Sequence, residues 1–315
     1  MSRRRDPAVT KIVHLPWRST DVCPCGSGDT YGRCCRQLSG SPYKTSCNYK
    51  PSGASTAYSH PSCYMNWTRN CSRAISGEHL ISETVLSILN PTALRIAGLE
   101  WQKGETRDLP IKALRANVLC VRHNSAWSQL DAMAGRFFRA LAELYDDLGR
   151  RTLSRKPIWR LFSGEELELW LLKTILGFFH AGVLSKDGRK IGDVQTVMNL
   201  AIEAAYRTGR LIEPCGIYVL KDVTLLAQCG SLDFASLSDE RDERIVGCRL
   251  TMMGLVMTLF TDPNMLNRHL FTANHSYRPD YLFFRNSRRR HSVVLTWPTR
   301  RPRRAVMFEM NRAAT

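Results

Sequence analysis

The 315-residue sequence has no hydrophobic run long enough to cross a bilayer. Its longest uncharged apolar stretch, Thr251 to Phe260, falls well short of the ~20 residues a spanning helix needs, so no membrane partner is expected. Glycine signatures of nucleotide cradles are missing too, with neither a P-loop nor a G-x-G-x-x-G. No Ser, His and Asp set is spaced for an acyl-transfer triad. The arginines near the start are not followed by an apolar h-region or a cleavage signal, so a cytoplasmic location is expected. Acidic residues are scarce: 28 Asp and Glu stand against 45 Lys and Arg, leaving a formal charge of +17. A surface this basic attracts polyanions, nucleic acid first among them.

Cysteine, by contrast, is plentiful, with 11 in the chain. In a reducing compartment these are poor candidates for disulfides, so clustered thiols are expected to hold metal and isolated ones to sit in cores. The densest cluster is "CPCGSGDTYGRCC", where Cys23, Cys25, Cys34 and Cys35 fall within one short loop whose glycines permit tight turns. Four thiolates at that spacing suit a closed, tetrahedral, structural zinc. The pattern resembles the SEC-C motif. That resemblance implies a zinc-held knuckle able to dock a protein partner, and says nothing about catalysis.

A second group is spread more widely. Cys63 and Cys71 precede the pair Glu78-His79, and "ANVLCVRHN" follows later with Cys120 and His123 in C-x-x-H spacing. Cys63, Cys71, Cys120 and His123 complete a second four-ligand zinc set, with Cys47 or His60 as alternatives to Cys63. A strand ending in "GEHLIS", a second strand in "NVLC" and a helix through "NSAWSQLD" resemble the ββα-metal, or HNH, nuclease family over about Cys63 to Phe138. The resemblance implies His79 as general base, Glu78 and Asn124 as oxygen ligands of a catalytic Mg²⁺ or Mn²⁺, and Asn117 as the residue that orients the histidine. Imidazole titrates near neutral pH and can take a proton from water, while a hard cation prefers oxygen ligands and keeps its waters. The implied function is phosphodiester cleavage in nucleic acid, in a setting of bacterial defence or mobile elements.

A plainer alternative stands beside this one. Glu78 can be a first-turn acid of a helix through "ISETVLSIL", Asn124 an N-cap, and Asp131 the partner of Ser128 in a capping box, the preferred role for that residue. The module would then be a zinc-binding adaptor without catalysis, meeting nucleic acid or protein through its basic surface.

Apolar residues from Leu130 to Leu148 recur at steps of three and one, which predicts an amphipathic helix. Ser163 followed by Glu166 predicts a capped helix running to about His180, and another is expected over Val194 to Thr208. Beyond Pro214, six β-rich runs separated by turn residues predict an antiparallel sheet. Cys215, Cys229 and Cys248 lie in or beside these runs and are expected to be buried. The tail carries Arg285, Arg288, Arg289 and Arg290, then Arg300, Arg301, Arg303 and Arg304, in two blocks flanking a strand that contains Trp297. A hairpin would gather both arginine blocks at one end, where they either line a phosphate backbone or form a solvated turn.

The expected class is therefore multi-domain α+β. Residues 1–36 form an arm and zinc knuckle, 37–62 a linker, 63–150 the HNH-like zinc-supported module, 151–212 a helical connector, and 213–315 an antiparallel β domain with a basic tail.

Overall fold

A computed structural model describes residues 13–39, 41–89, 93–96, 107–150, 156–183, 185–186, 189–190, 201, 203–221, 224–225, 232–239, 245–264, 274–298 and 303–310. The helices expected over Leu130 to Leu148 and after Ser163 are both present, alongside short strands that the sequence did not signal. One helical turn, α1 (Tyr31–Cys34), lies in the knuckle. Next come β1 (Ile75–His79), α2 (Glu83–Leu89), the short pair β2 (Ala93–Ile96) and β3 (Arg107–Pro110), then β4 (Arg115–Cys120) and the long helix α3 (Val121–Gly149). After these are β5 (Trp159–Ser163), α4 (Gly164–His180) and the two-residue strands β6 (Ser185–Lys186) and β7 (Arg189–Lys190). Residues 203–208 are helical, and the first part of the helix expected from Val194 lies outside the described residues.

The remaining strands are β8 (Gly216–Leu220), β9 (Thr224–Leu225), β10 (Leu232–Ser238), β11 (Ile245–Met252), β12 (Leu255–Phe260), β13 (His275–Tyr277), β14 (Tyr281–Arg285), β15 (Arg290–Thr296) and β16 (Ala305–Met310). They build two sheets. One, in the order β10-β11-β12-β8-β13, is antiparallel throughout, as expected. The other, β5-β15-β14-β16-β9, is mixed: β14 and β15 pair antiparallel, whereas β5, β16 and β9 each pair parallel to a neighbour. A purely antiparallel C-terminal unit is thus corrected: β16 lies parallel to both β14 and β9, and β5 reaches in from the expected connector to pair parallel with β15. Cys215 and Cys248 are buried, as their strand settings predict, and Cys229 falls outside the described residues.

Helix α4 explains how the two sheets and the β1–β4 hairpin share one core. It packs against β4, β12 and β15, and every residue from Gly164 to Phe178 is buried. Ser163 caps it by accepting the Glu166 N–H at 3.3 Å, the predicted cap. Gly164 is required there, since a Cβ would lie 2.3 Å from the Trp297 ring. A helix buried all round must pair each charge it carries. Glu168 does so with Arg278 in a two-point contact of 2.7 and 2.9 Å, and also accepts the Ile217 N–H.

The acids at the start of α4 hold the segment expected as a linker. Ser46 donates to Glu165 Oε2 at 3.1 Å, and the Cys47 N–H donates to Glu166 Oε1 at 2.6 Å. Tyr49 adds a bond to the Ala205 carbonyl. The knuckle is likewise docked. Cys23, Cys25, Tyr31 and Cys35 share an apolar cluster with Leu161, Tyr281, Phe283 and Val294 on the outer face of the mixed sheet.

Candidate metal centres and the Glu78-His79 corner

The N-terminal cluster forms because turns bring the thiols back on one another. The Cys23 N–H donates to the Asp29 carbonyl at 2.7 Å, and Gly26 and Gly28 adopt positive φ, which a side chain disfavours. The four sulfurs of Cys23, Cys25, Cys34 and Cys35 then lie within 4.8 Å of one another. Ser27 donates to Cys34 Sγ at 3.3 Å. A hydrogen bond from Cys35 draws the Cys25 thiol down to about 4, and burial pushes Cys23 up to about 11. Four thiols in mutual contact, one already favouring its thiolate, suit a soft divalent cation.

The second cluster ties the β1–β4 corner together. Cys63 and Cys71 come from the irregular segment before β1, Cys120 ends β4, and His123 sits in the first turn of α3. Their ligand atoms also lie within 4.8 Å, and all four residues are buried. Three residues of helix return His123 to the face of Cys120. His123 Nδ1 lies 3.6, 3.8 and 3.2 Å from the sulfurs of Cys63, Cys71 and Cys120. Its other nitrogen settles the tautomer. Thr68 donates its hydroxyl proton to the Met65 carbonyl at 2.8 Å, so its oxygen accepts from His123 Nε2–H at 3.0 Å. The Nδ1 lone pair is thereby aimed at the three sulfurs, an arrangement made for a metal ligand. Burial holds His123 at about 4, so the ring is neutral. Burial works against ionisation of Cys120, but backbone N–H groups of His123 and Ser72 outweigh it and draw that thiol below its ordinary value. The residues of both clusters fit structural zinc, and Cys63 rather than Cys47 or His60 completes the second set.

Glu78 and His79 close β1. Register pairs Glu78 with Ala116 and His79 with Arg115, after an irregularity between Ser76 and Glu78. Glu78 is therefore a strand residue, and the reading of it as a helix first-turn acid is corrected: α2 begins only at Glu83. Its carboxylate points inward to Lys173 of α4, with Nζ to Oε1 at 2.5 Å, and Lys173 also contacts Asp131 of α3. Burial raises the Glu78 pKa against the pull of Lys173. Burial lowers that of Lys173, but Asp131 and Glu78 outweigh it. An ammonium between two carboxylates stays charged.

Asp131 is consequently not part of a capping box, and Asn124 is not an N-cap, because α3 starts earlier, at Val121. Asn124 lies in the first turn and donates to Ser76 Oγ at 2.7 Å. Asn117 is exposed on β4 beside Gly77. His79 Nε2 accepts from Arg115 Nε–H at 2.9 Å and lies 3.7 Å from Glu83. Burial and the Arg115 charge lower its pKa, so the ring is neutral at physiological pH.

The arginine blocks are separated. Since β16 runs parallel to β14, Ala305 pairs with Tyr281 while Arg290 pairs with Arg285, so the two blocks occupy opposite ends of the sheet. Arg289 binds Asp147 at 2.9 Å, Arg290 stacks on Phe283, Arg285 pairs with Glu309, Arg303 donates to Tyr281 and Arg304 to the Tyr277 carbonyl. Arg288 is exposed, and Arg300 and Arg301 lie outside the described residues.

Sequence reasoning missed Thr68, Ser76, Arg115 and Lys173. Only Lys173 left a signal, as a lone charge inside the apolar run "LWLLKTILGFF".

The family model of the SEC-C motif matches residues 20–37, the segment that forms the first cluster. Neither a curated protein nor a solved structure matches the chain.

Proposed function

We propose that the corner formed by β1, β4 and α3 is an HNH-type phosphodiester hydrolase site acting on nucleic acid, with His79 as its general base. The observation that carries this reading is the state of His79: a neutral imidazole, largely buried at a strand end, whose Nε2 lone pair faces an exposed arginine. Arg115 is the kind of group a phosphate draws to itself, and its departure would uncover that lone pair to accept a proton from water. The Cys63, Cys71, Cys120 and His123 cluster serves as the staple that fixes the hairpin on α3. Asn117 lies within β4, two residues after Arg115.

Glu78 and Asn124 would hold a Mg²⁺ or Mn²⁺, which lends positive charge to the phosphate and leaving oxygen. Their donors are oxygens, as a hard cation requires, but one Glu78 oxygen is already held by Lys173. That pairing favours a second reading, a zinc-stapled adaptor that binds nucleic acid or protein and cleaves neither.

The deciding measurement is cleavage of plasmid DNA and of RNA in Mg²⁺ or Mn²⁺ by zinc-replete protein, beside His79→Ala. Loss of about 10² to 10⁴ in rate with zinc content unchanged is the expected result. An inert parent, or a variant as fast as the parent, leaves the adaptor.

A further inference from the structure

We infer that the cleft between the SEC-C knuckle and α3 binds single-stranded nucleic acid. It is lined by Trp17 and the turn from Cys23 to Gly26, by Arg136, Arg139 and Glu143 of α3, and by Trp159 and Arg160 of β5. Its volume is about 460 Å³, within the range of ~300–1,000 Å³ typical of small-ligand clefts and enough for a nucleotide-sized piece of chain.

Two features give the cleft its chemistry. Trp17 and Trp159 meet edge to face, with centroids 6.0 Å apart and planes at 84°, so the two half-buried indoles present differently oriented surfaces. Arg136 and Arg139 are exposed at i and i+3 on one face of α3, and neither forms an ion pair among the described residues. Glu143 is the acid in the cleft wall, and it is taken by Arg160 at 2.9 Å. Aromatic rings beside free guanidinium groups match the two repeating parts of a nucleic acid strand, a base with a π-face and a phosphodiester. In a duplex the bases are stacked on each other and withheld from an indole, so the unpaired strand is the form this cleft selects. The wall is held in place, since the Leu161 N–H donates to the Pro24 carbonyl at 3.3 Å and joins the knuckle to β5.

This inference shares a partner class with the hydrolase reading but rests on other residues. It is tested with full-length His79→Ala, so that cleavage cannot obscure binding. Labelled oligothymidylate and oligouridylate are titrated by anisotropy, with tryptophan fluorescence followed in parallel. Arg136→Ala with Arg139→Ala should weaken binding about tenfold or more and lower the salt slope by about two, while Arg249→Ala, at an exposed position on β11, should change neither. An abasic strand should bind more weakly and quench less. The inference is overturned if the double variant, with zinc content and helicity intact, binds as tightly as its background. It is equally overturned if a duplex or polyglutamate of the same length binds as well as the single strand. Failure of the hydrolase reading would look different: uncleaved substrate with binding at the cleft intact.

Discussion

Lys173 Nζ lies 2.5 Å from Glu78 Oε1 in the protein interior, joining α4 to the end of β1. Asp131 of α3 meets the same ammonium, so one lysine pins three elements around the candidate site. Replacing Lys173 with Met would strand two carboxylates in a buried space, and such broken pairs cost about 3–5 kcal/mol. Urea unfolding should show that loss for Lys173→Met. Adding Glu78→Gln and Asp131→Asn should recover a large part of it, because the charges that lost their partner are then gone. A triple variant as unstable as the single one would mean that packing, not charge, governs the position.

Two zinc ions per chain are expected by elemental analysis, and the two sites should respond independently. Thr68 touches no sulfur, yet it fixes the His123 tautomer. Thr68→Val should therefore weaken zinc at the second site about 10- to 100-fold in a chelator competition and leave the knuckle unaffected. Cys34→Ser should release only the knuckle zinc. Cys120→Ser should unfold the β1, β4 and α3 region, where metal binding and folding are coupled.

The parts of this architecture that were legible in the sequence are those set by short-range geometry. Cys23 to Cys35 can be read directly because turns alone bring the ligands together, and Cys120 with His123 because one helical turn does. The Ser163 cap is legible for the same reason. Lys173 is not, since its partners come from two other elements and nothing in a sequence states which strand a helix will face. The mixed sheet escaped because period-two alternation reads the same in parallel and antiparallel pairs. A hint was there: β14 is a near-continuous apolar run, as strands covered on both faces are. Arg289 was read as a free charge because its partner, Asp147, lies far away in sequence at the end of α3.

That last pairing separates the arginines of the β14–β15 turn. Arg289 holds a buried aspartate that also receives His291, whereas Arg288 is exposed. Arg289→Ala should cost about 1–3 kcal/mol in an unfolding titration, since Asp147 keeps its burial and loses a charged donor. Arg288→Ala should be neutral for stability. Equal effects of the two substitutions would show that the turn is not anchored as described.

Arg115 and His79 face each other across the β1–β4 register, and their contact makes a prediction about pH. Burial is the larger cause lowering the His79 pKa and the Arg115 charge the next, while Glu83 opposes both. Arg115→Ala removes a cation and a donor to the lone pair, so it should move His79 upward, toward the ordinary value near 6.5, in an NMR titration. In the folded parent the depressed pKa keeps the ring neutral. The matching stability is present above the unfolded value and is lost as pH falls through the folded one. Arg115→Ala should narrow that window. If His79 is the base, the acid limb of the cleavage profile should shift upward with the same substitution, and KM should rise because a phosphate contact is gone. An unmoved His79 titration in Arg115→Ala would show that the arginine does not govern the histidine. The reading of Arg115 as the group that covers and releases the base would then fall, whatever the cleavage assay shows.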